Sequence, residues 1–369
     1  SLRLIRNGNH STNTLSYNKT HFKRSTTGYT GSKDIYWGYR DAVNFLGEFN
    51  YNYDTKIVYG LDNEFDRANF TTWAVTGNKL TDEAVFSQYF DLQFRPREKL
   101  YSTIGFRRDD HTTAGSYETG RATLAYKVNN NTKFRSSFGT GIRFPSLTDY
   151  FYDTNVKNKE NLIPEKSTSF DFGVDTYFEN YNLDLDLTFF NLEYDNNISN
   201  WAENTDGGNT PGGYVIDNSS GKIKSKGFEI LSKWKPQKNL NFNLGYTLTD
   251  AYDGEDCDDS ATICLDDMPV RVPRHSINAS IDKKFKNNIN TSLLIKYASE
   301  RRDYGNGNNG YNDVLLSEYI TVDIMGSYNV FNNYNMFFST TNILDNDYEE
   351  AFQYSNQGRS VKIGLKKIY

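Results

Sequence analysis

Alternation of apolar and polar residues constrains the fold of this chain more than any other feature. In one representative segment every second residue is apolar, namely Leu240, Phe242, Leu244, Tyr246 and Leu248. Asn, Gly and Thr fill the intervening positions there. A period of two is typical of a β-strand with one apolar face. The pattern recurs in many segments from Ala84 to the C-terminus, so the sequence predicts an all-β fold.

Membrane insertion is compatible with this pattern, although the mean hydropathy is only -0.73. No stretch approaches the roughly 18 consecutive apolar residues that a transmembrane helix needs, so only strands would span. Hydrophobic residues make up 37% of the chain, yet aromatic residues reach 15%. A barrel in lipid explains both values, because its inward face is polar and aromatic girdles mark its interfaces. The polar residues expected to point inward are Arg135, Arg143, Asp184, Asp186, Asn241 and Asn243.

The spacing of the turns separates a membrane barrel from a soluble sandwich. Short polar turns are predicted near residues 52–54, 95–97, 129–131, 179–180, 236–238, 286–288 and 332–333. Longer polar loops are predicted at roughly 70–82, 144–164, 197–220, 252–271, 301–316 and 345–357. Alternating short and long connections are typical of a transmembrane antiparallel β-barrel. Sandwich strands are usually shorter and have loops of similar length at both ends. We therefore predict a barrel of about 15–17 strands.

Three motifs in order carry a family resemblance. The first joins Arg143 and Pro145 to Asn161, Leu162, Pro164 and Glu165. The second is a Lys-Gly-Phe-Glu run around Gly227, and the third joins Asp347, Tyr348, Gly358, Arg359 and the terminal aromatic Tyr369. Together they resemble the TonB-dependent receptors of Gram-negative outer membranes, most of all the vitamin B12 (cobalamin) branch. Phe is the commoner last residue in that family.

The resemblance implies an outer-membrane receptor that takes up a scarce nutrient, either cobalamin or a ferric siderophore. It implies roughly 22 strands around an N-terminal plug. Residues 1–369 would then be a partial barrel that lacks the plug and the first strands, and we expect it to be C-shaped or strained. The implied partners are outer-membrane lipid, the small-molecule cargo, and the TonB-ExbB-ExbD system acting through the plug. Haem is the least favoured cargo, because no His lies between Pro145 and Asn161.

The motif residues also have structural explanations that need no ligand. Gly227 and Gly358 would leave space where strands twist or another backbone approaches. Pro164 would mark a strand start, and Tyr369 would act as an assembly signal and interface anchor. Contact with cargo is instead expected from loop aromatics, although such residues also arise as interface belts. The candidates are Tyr150, Tyr152, Trp201, Tyr214, Tyr304 and Tyr311.

Two further features lie in one acidic stretch. Cys257 and Cys264 are either free thiols or, as we predict for an exported loop, a disulfide that closes a small ring. The surrounding carboxylates, including Asp266 and Asp267, would suit Ca²⁺, but they lack the spacing of a known calcium loop. We therefore predict solvated acidic surface, with neither a metal nor a cofactor.

Other functional classes fit the sequence less well. A general diffusion porin is the main alternative, since about 16 strands would close a barrel around an aqueous channel. An enzyme is not predicted, because no motif brings together a Ser/His/Asp set or a carboxylate pair. The net charge of -6 is of mixed sign along the chain, so nucleic acid is not an expected partner.

Overall fold

The computed structural model describes residues 1–27, 31, 33–72, 75–151, 161–204, 211–218, 221–252, 268–286, 288–307, 310–331 and 333–367. Within those ranges the chain is almost entirely β-structure, and the predicted all-β fold is confirmed. The described chain contains a five-residue helix, α1 (Leu147–Phe151), and a 3-10 turn at Glu179–Tyr181. None of its helices is long and apolar enough to cross a membrane.

The strands are numbered in chain order. The first ten are β1 (Leu2–Asn7), β2 (Ser11–Thr27), β3 (Lys33–Asn52), β4 (Thr55–Thr72), β5 (Val75–Arg97), β6 (Leu100–His111), β7 (Gly115–Lys127), β8 (Thr132–Arg143), β9 (Glu165–Phe178) and β10 (Leu183–Asp195). The next six are β11 (Ile198–Asn204), β12 (Pro211–Asn218), β13 (Ile223–Gln237), β14 (Leu240–Tyr252), β15 (His275–Lys284) and β16 (Ile289–Ala298). The last seven are β17 (Arg301–Gly307), β18 (Gly310–Leu316), β19 (Tyr319–Phe331), β20 (Tyr334–Thr341), β21 (Glu349–Ala351), β22 (Tyr354–Ser355) and β23 (Ser360–Lys367).

A 17-stranded sheet and three hairpins make up this β-structure. In the sheet, successive strands from β1 to β6 pair antiparallel, as do those from β13 to β16. Beyond the hairpin β17–β18, β16 pairs with β19, β19 with β20, and β20 with β23. The hairpins β11–β12, β17–β18 and β21–β22 lie outside the sheet. A strand number within the predicted 15–17 is thereby confirmed.

The loop prediction at 70–82 is wrong. β4 and β5 continue through that range, and their pairing extends to Thr72 opposite Val75. Three other predicted loops, at 197–220, 301–316 and 345–357, contain their own hairpins. Strands that extend beyond the bilayer have water on both faces, so they need no apolar alternation. Because these strands lack alternation, their polar sequences predict loops.

The chain divides into two units. The first contains Ser1–Ala125, Ser137–Ser169 and Glu193–Lys222, and the second contains Tyr126–Ser136, Phe170–Leu192 and Ile223–Tyr369. In the first unit, one sheet face exposes apolar side chains, such as Val43 at 45% and Phe106 at 51%. The other face carries charged pairs, including Arg40 with Asp66 at 2.6 Å. Such an asymmetry suits hydrocarbon on one side and a polar interior on the other.

The second unit has the same two kinds of face. Arg135 lies on a polar face, where its Nη2 donates to Asp186 at 2.7 Å, and Asn243 donates to Ser280 at 2.9 Å. Exposed apolar residues such as Ile320 at 40% and Ile363 at 75% occupy alternate positions of other strands. Both units thus bury little apolar surface within the chain itself, as expected when lipid covers one face.

Several glycines lie directly opposite an aromatic residue in the neighbouring strand. Tyr59 pairs with Gly47, and Phe338 pairs with Gly326. A Cβ atom added at Gly326 would lie 2.2 Å from the Phe338 ring, and one added at Gly47 would lie 2.3 Å from the Tyr59 ring. The aromatic rings therefore cover the glycine backbone, a packing that stabilises sheets where glycine supplies no side chain.

Candidate functional site

Three consecutive charged residues open the hairpin β17–β18 in the second unit. Arg301 is 3% exposed, Arg302 is 8% exposed and Asp303 is fully buried. Charged side chains are almost never buried unless they are paired. We call these residues the Arg-Arg-Asp cluster, and their partners define the candidate site.

Asp303 connects three separate segments. Its Oδ1 accepts hydrogen bonds from Arg271 Nε at 2.9 Å and from the Tyr304 N–H at 2.8 Å. Its Oδ2 accepts a hydrogen bond of 2.6 Å from the Phe352 N–H. Burial acts to raise the pKa of Asp303, but Arg271 and the two backbone donors outweigh it and lower that pKa below its ordinary value. The carboxylate is therefore held in its charged form at neutral pH.

The two arginines of the cluster fasten the same segments. Arg302 Nη1 donates to the Met268 carbonyl at 3.0 Å, and Arg302 Nε lies 2.8 Å from Asp313 in β18. Arg301 donates to the carbonyl of Glu349 in β21, and its guanidinium lies 5.1 Å from the centroid of the Tyr319 ring. The segment before β15, the hairpin β17–β18 and the hairpin β21–β22 are thus held together as one assembly.

Tyr348, one of the motif residues, belongs to this assembly. Its ring stacks on Tyr319 with centroids 4.2 Å apart. The Tyr319 hydroxyl donates to Glu350 at 2.9 Å, and Lys296 pairs with the same carboxylate at 2.5 Å. Hydrogen bonds from Lys296 and Tyr319 lower the pKa of Glu350. Tyr348 therefore packs as a structural residue that anchors the loop before the last strand.

Two other C-terminal motif residues, Gly358 and Arg359, close a tight turn together with Asp345, which lies just before the motif. Asp345 has a left-handed backbone, with φ 54°. Its Oδ1 accepts from the Arg359 N–H at 2.9 Å, and its Oδ2 pairs with Arg359 Nη2 at 2.9 Å. These contacts, the backbone one first, lower the pKa of Asp345. A Cβ atom at Gly358 would lie 3.3 Å from Asp345 Oδ1, whereas Asp347 is exposed. The motif thus fixes the entry into β23.

In the first unit, the motif around Arg143 anchors a second hairpin. Arg143 Nη2 donates to Glu165 at 2.5 Å, and the Glu165 carboxylate also accepts the N–H of Ile198, the first residue of β11. Asn218, the last residue of β12, accepts from the Ile163 N–H at 2.9 Å and donates to the Ile163 carbonyl at 2.8 Å. The base of the hairpin β11–β12 is thereby clamped to residues 161–165.

Apolar packing reinforces that clamp. Leu162 and Ile216 are each 5% exposed and form a buried cluster with Ile198. Pro145 and Pro164 are among the most deeply buried side chains of the described chain, whereas Asn161 is exposed. Leu162 and Pro164 therefore pack into the protein rather than facing a ligand.

Gly227 lies where two backbones approach each other. A Cβ atom there would come within 1.9 Å of the Leu248 carbonyl oxygen and 2.8 Å of the Phe190 ring. Any side chain would therefore displace β14. Gly227 is therefore needed for close packing of the two backbones, as predicted for a glycine inside a strand.

The candidate aromatics fall on different elements. Tyr304 lies in β17 and is 51% exposed, and Tyr311 lies in β18 opposite Asn306. In the hairpin β11–β12, Trp201 pairs with Val215, and Ala202 pairs with Tyr214. Tyr150 lies in α1. The side chains of Tyr150, Trp201, Tyr214 and Tyr311 lie outside the described part, as does Tyr152 entirely.

Several sequence predictions remain untested by the structure. Cys257, Cys264, Asp266, Asp267 and Tyr369 all lie outside the described residues. Their proposed disulfide, acidic surface and terminal anchor therefore stay predictions. Within the described ranges, no group of three or more His, Cys, Asp or Glu side chains is arranged to hold a metal ion.

Sequence reasoning missed the Arg-Arg-Asp cluster and Asn218. The run Arg301-Arg302-Asp303 looks like an ordinary solvated loop, and its burial depends on partners up to about 50 residues away in sequence, such as Phe352. Asn218 precedes Ser-Ser-Gly in the sequence, a context in which an Asn is usually a local turn former. Neither position carries a local signal for its long-range contacts.

Comparison with known proteins agrees with this architecture. Residues 1–343 match the family model described as TonB dependent receptor-like, beta-barrel. A vitamin B12 transporter, BtuB of Vibrio cholerae serotype O1, is 24% identical over 340 residues, which cover 90% of this chain and 48% of that protein. The chain thus spans about half the length of the curated relatives it matches.

Solved structures show the same fold. The ferric enterobactin receptor PfeA of Pseudomonas aeruginosa superposes with a TM-score of 0.76 at 14% identity, covering 98% of this chain and 60% of that one. The siderophore receptor PirA of Acinetobacter baumannii superposes with a TM-score of 0.71 at 15% identity, covering 97% of this chain and 60% of that one.

Proposed function

The chain belongs to the family of TonB-dependent receptor-like β-barrels, and from that membership we propose that it forms barrel wall and loops of an active nutrient importer. Members of this family are β-barrels of the outer membrane, so the chain resides there. The observation that carries the proposal is the family match over residues 1–343.

The loop architecture supports a capturing role. Loops positioned by a rigid scaffold are where binding residues are usually found. Asp303 accepts a hydrogen bond from the Tyr304 N–H, so the backbone that carries this half-exposed aromatic side chain is fixed. The clamp between Asn218 and Ile163 gives the hairpin β11–β12 a similarly fixed base. Each assembly would present aromatic side chains to cargo that arrives from outside the cell.

Cobalamin is the cargo we propose first, and a ferric siderophore is the second candidate. The vitamin B12 transporter of Vibrio cholerae is related over 90% of this chain, whereas PfeA and PirA share 14% and 15% identity with it. Both cargoes are large organic molecules that stacking aromatics would suit. The candidates for this contact remain Tyr150, Tyr152, Trp201, Tyr214, Tyr304 and Tyr311.

Energy would be supplied from the inner membrane through TonB, ExbB and ExbD, with a plug domain as the moving part. This chain would then act as a sleeve and need no bond-making chemistry. Two charged pairs on its polar faces, Arg40 with Asp66 and Arg135 with Asp186, suit a wall that contacts a hydrated domain. No enzymatic step is proposed.

The general porin is a poorer explanation. Its barrel would be open to diffusion and would match a porin family, whereas this chain matches receptors. The two functions differ in their need for energy. A receptor concentrates its cargo and stops when the proton gradient is lost, whereas a porin equilibrates small solutes without it.

Uptake in a strain that lacks its own vitamin B12 receptor tests the proposal. The complete protein would be expressed, and entry of labelled cyanocobalamin and of a labelled ferric catecholate would be followed with and without a protonophore. We expect accumulation of cobalamin that the protonophore abolishes. Entry that persists without a proton gradient would identify a porin. Accumulation of the ferric catecholate alone would show that the cargo is a ferric siderophore and not cobalamin.

A further inference from the structure

Cationic side chains cluster on the apolar face of the first unit, just beyond its last exposed apolar row. Lys19, His21 and Lys23 project from β2, and Arg67 projects from β4. All four residues are exposed. Because strand residues of one parity share a face, they lie on the same face as Leu15 and Val43. We call these four residues the outer cationic patch.

The register shows how sharply the polarity changes. Tyr17 pairs with Val43, and both are exposed, at 40% and 45%. Two residues further along β2, about 7 Å away, Lys19 pairs with Asp41. The next rows pair His21 with Tyr39 and Lys23 with Trp37, and Tyr39 pairs onward with Arg67. Trp and Tyr are enriched where hydrocarbon meets head groups, so the patch lies at that boundary.

Two cations of the patch are held in place but carry no counter-ion. Lys23 Nζ lies 5.2 Å from the centroid of the Trp37 ring, and the Arg67 guanidinium lies 5.1 Å from that of Phe65. Asp82 is opposite Arg67 in the register. Within the described ranges, however, neither Lys23 nor Arg67 reaches a carboxylate at ion-pair distance. Their N–H donors remain available to an external anion.

The opposite face of the same strands is different. Arg40, which pairs in register with Thr20, is bound by Asp66 at 2.6 Å and by Glu64 at 3.3 Å. Arg107 is likewise bound by Asp62 and Asp109. Among the residues that the structure describes, Lys23 and Arg67 on the apolar face therefore lack the carboxylate partners that Arg40 and Arg107 have. An anion at the membrane boundary would pair with these two cations.

The patch also lies at a defined end of the strands. β3 and β4 are joined at the other end by the two residues Tyr53 and Asp54. Tight turns are periplasmic in outer-membrane barrels, so the patch faces the outer leaflet. We propose that the outer cationic patch binds the phosphate groups of an outer-leaflet lipid, with Lys23 and Arg67 as the principal donors and Lys19 beside them.

The occupant is a lipid rather than free phosphate because the apolar row at Tyr17 and Val43 continues directly below the cations. An acyl chain would lie on that row while the head group meets the patch. Lys and Arg near a charged membrane surface attract anionic head groups, and the attraction weakens with salt. This inference concerns lipid and is independent of the cargo proposed above.

Lipid titration of the complete protein, purified from outer membranes in mild detergent, tests the proposal. Bound lipid would be counted by native mass spectrometry, with bis-phosphorylated lipid A, its dephosphorylated form and inorganic phosphate as separate probes. The variant combines Lys19→Gln, Lys23→Gln and Arg67→Gln. The matched control combines Arg6→Gln in β1, Lys56→Gln in β4 and Lys99→Gln in the turn between β5 and β6, which removes the same charge from the end of the sheet that carries the tight turns.

We expect the wild type and the control to bind the phosphorylated lipid. The patch variant should bind it about fivefold more weakly for each of Lys23 and Arg67, with a smaller loss from Lys19, which already lies 3.7 Å from Asp41. The dephosphorylated lipid and inorganic phosphate should bind weakly to all three proteins. Equal binding by the patch variant and wild type would overturn the proposal, as would equal losses in patch and control variants or equal binding of the dephosphorylated lipid.

Two measurements keep the test decisive if the triple variant does not fold. The single variants Lys23→Gln and Arg67→Gln each remove one exposed cation, and each should weaken lipid A binding by about fivefold. Wild-type affinity for the phosphorylated lipid should also fall as salt is raised. Affinity that does not change with salt, or single variants that bind like wild type, would contradict a charge-based site.

Discussion

The fully buried carboxylate of Asp303 accepts a 2.6 Å hydrogen bond from the backbone N–H of Phe352, 49 residues later in the chain. This bond ties the first strand of the hairpin β17–β18 to the loop that precedes the last strand. Because Arg271 donates to the same carboxylate, one side chain controls three segments at once. This negative charge thus acts beside the contacts of Arg301 and Arg302 in fixing the shape of the loop assembly.

Asp303→Asn should loosen the loop assembly without unfolding the sheet. The amide keeps the shape, but it removes the charge that balances Arg271 and places a donor near the N–H groups. Asp303 is fully buried but Arg271 is half-exposed, so the main cost is that of unsatisfied buried donors, about 1–3 kcal/mol, and amide exchange at Phe352 should accelerate by roughly five- to a hundredfold. Hydrogen–deuterium exchange followed by mass spectrometry measures this. Asp347→Asn, an exposed change on the same loop, should leave exchange unaltered, and equal effects of both variants would contradict the prediction.

The same carboxylate predicts an acid-sensitive loop. The pKa of Asp303 is lowered from its ordinary value of 3.8 in the folded protein. Its stabilisation is therefore complete above that value and is lost as the pH falls through the lower folded-state pKa. Exchange at Phe352 should stay constant from neutral pH to about 4, after correction for the intrinsic pH dependence of exchange, and should rise below it. In Asp303→Asn this step should be missing, whereas a step that persists would assign the transition to Asp345 or Glu350.

Gly227→Ala should destabilise the barrel wall. The new Cβ would lie 1.9 Å from the Leu248 carbonyl oxygen, so backbone must move. Overpacking of this kind typically costs about 1–3 kcal/mol. Gly245→Ala in the neighbouring β14 is the matched control, because its Cβ would lie 3.4 Å from Leu231 and 3.8 Å from the Asn278 carbonyl oxygen, which are ordinary contact distances. Thermal unfolding in detergent should show a lower midpoint for Gly227→Ala alone; equal midpoints for the two variants would refute the packing argument.

Asn218 should stabilise the base of the hairpin β11–β12 against residues 161–165. Asn218→Ala removes the bonds to the Ile163 N–H and carbonyl and to the Asn196 carbonyl. Each unsatisfied group costs about 1–3 kcal/mol if it remains buried. Asn218→Asp keeps the acceptor for Ile163, but its second carboxylate oxygen would face the Ile163 and Asn196 carbonyl oxygens, so it should be at least as damaging as Asn218→Ala. Exchange at the Ile163 amide ranks the variants, and an Asp variant that exchanges like wild type would deny the two donor bonds their role.

Alternation predicted the sheet well because lipid and water impose it residue by residue. The run from Leu240 to Leu248 lies within β14, as expected. The prediction failed at residues 70–82, where β4 and β5 continue with polar residues. Beyond the bilayer the physical cause of alternation ends, although backbone pairing continues. The Arg-Arg-Asp cluster was missed for a related reason, since its burial arises from distant partners rather than from its own composition.

Tyr304 is the cargo candidate whose surroundings the structure describes, and it allows the sharpest test of the proposed binding loops. Its ring is 51% exposed, while its backbone N–H is fixed by Asp303 and the Arg302 guanidinium lies 5.5 Å from the ring centroid. Ring stacking contributes about 0.5–1.5 kcal/mol, so Tyr304→Ala should weaken cobalamin binding to cells by roughly two- to tenfold. Tyr304→Phe keeps the ring and should bind like wild type. If the Phe variant loses as much affinity as the Ala variant, the hydroxyl rather than the ring makes the contact, and unchanged binding by Tyr304→Ala would remove this residue from the cargo surface.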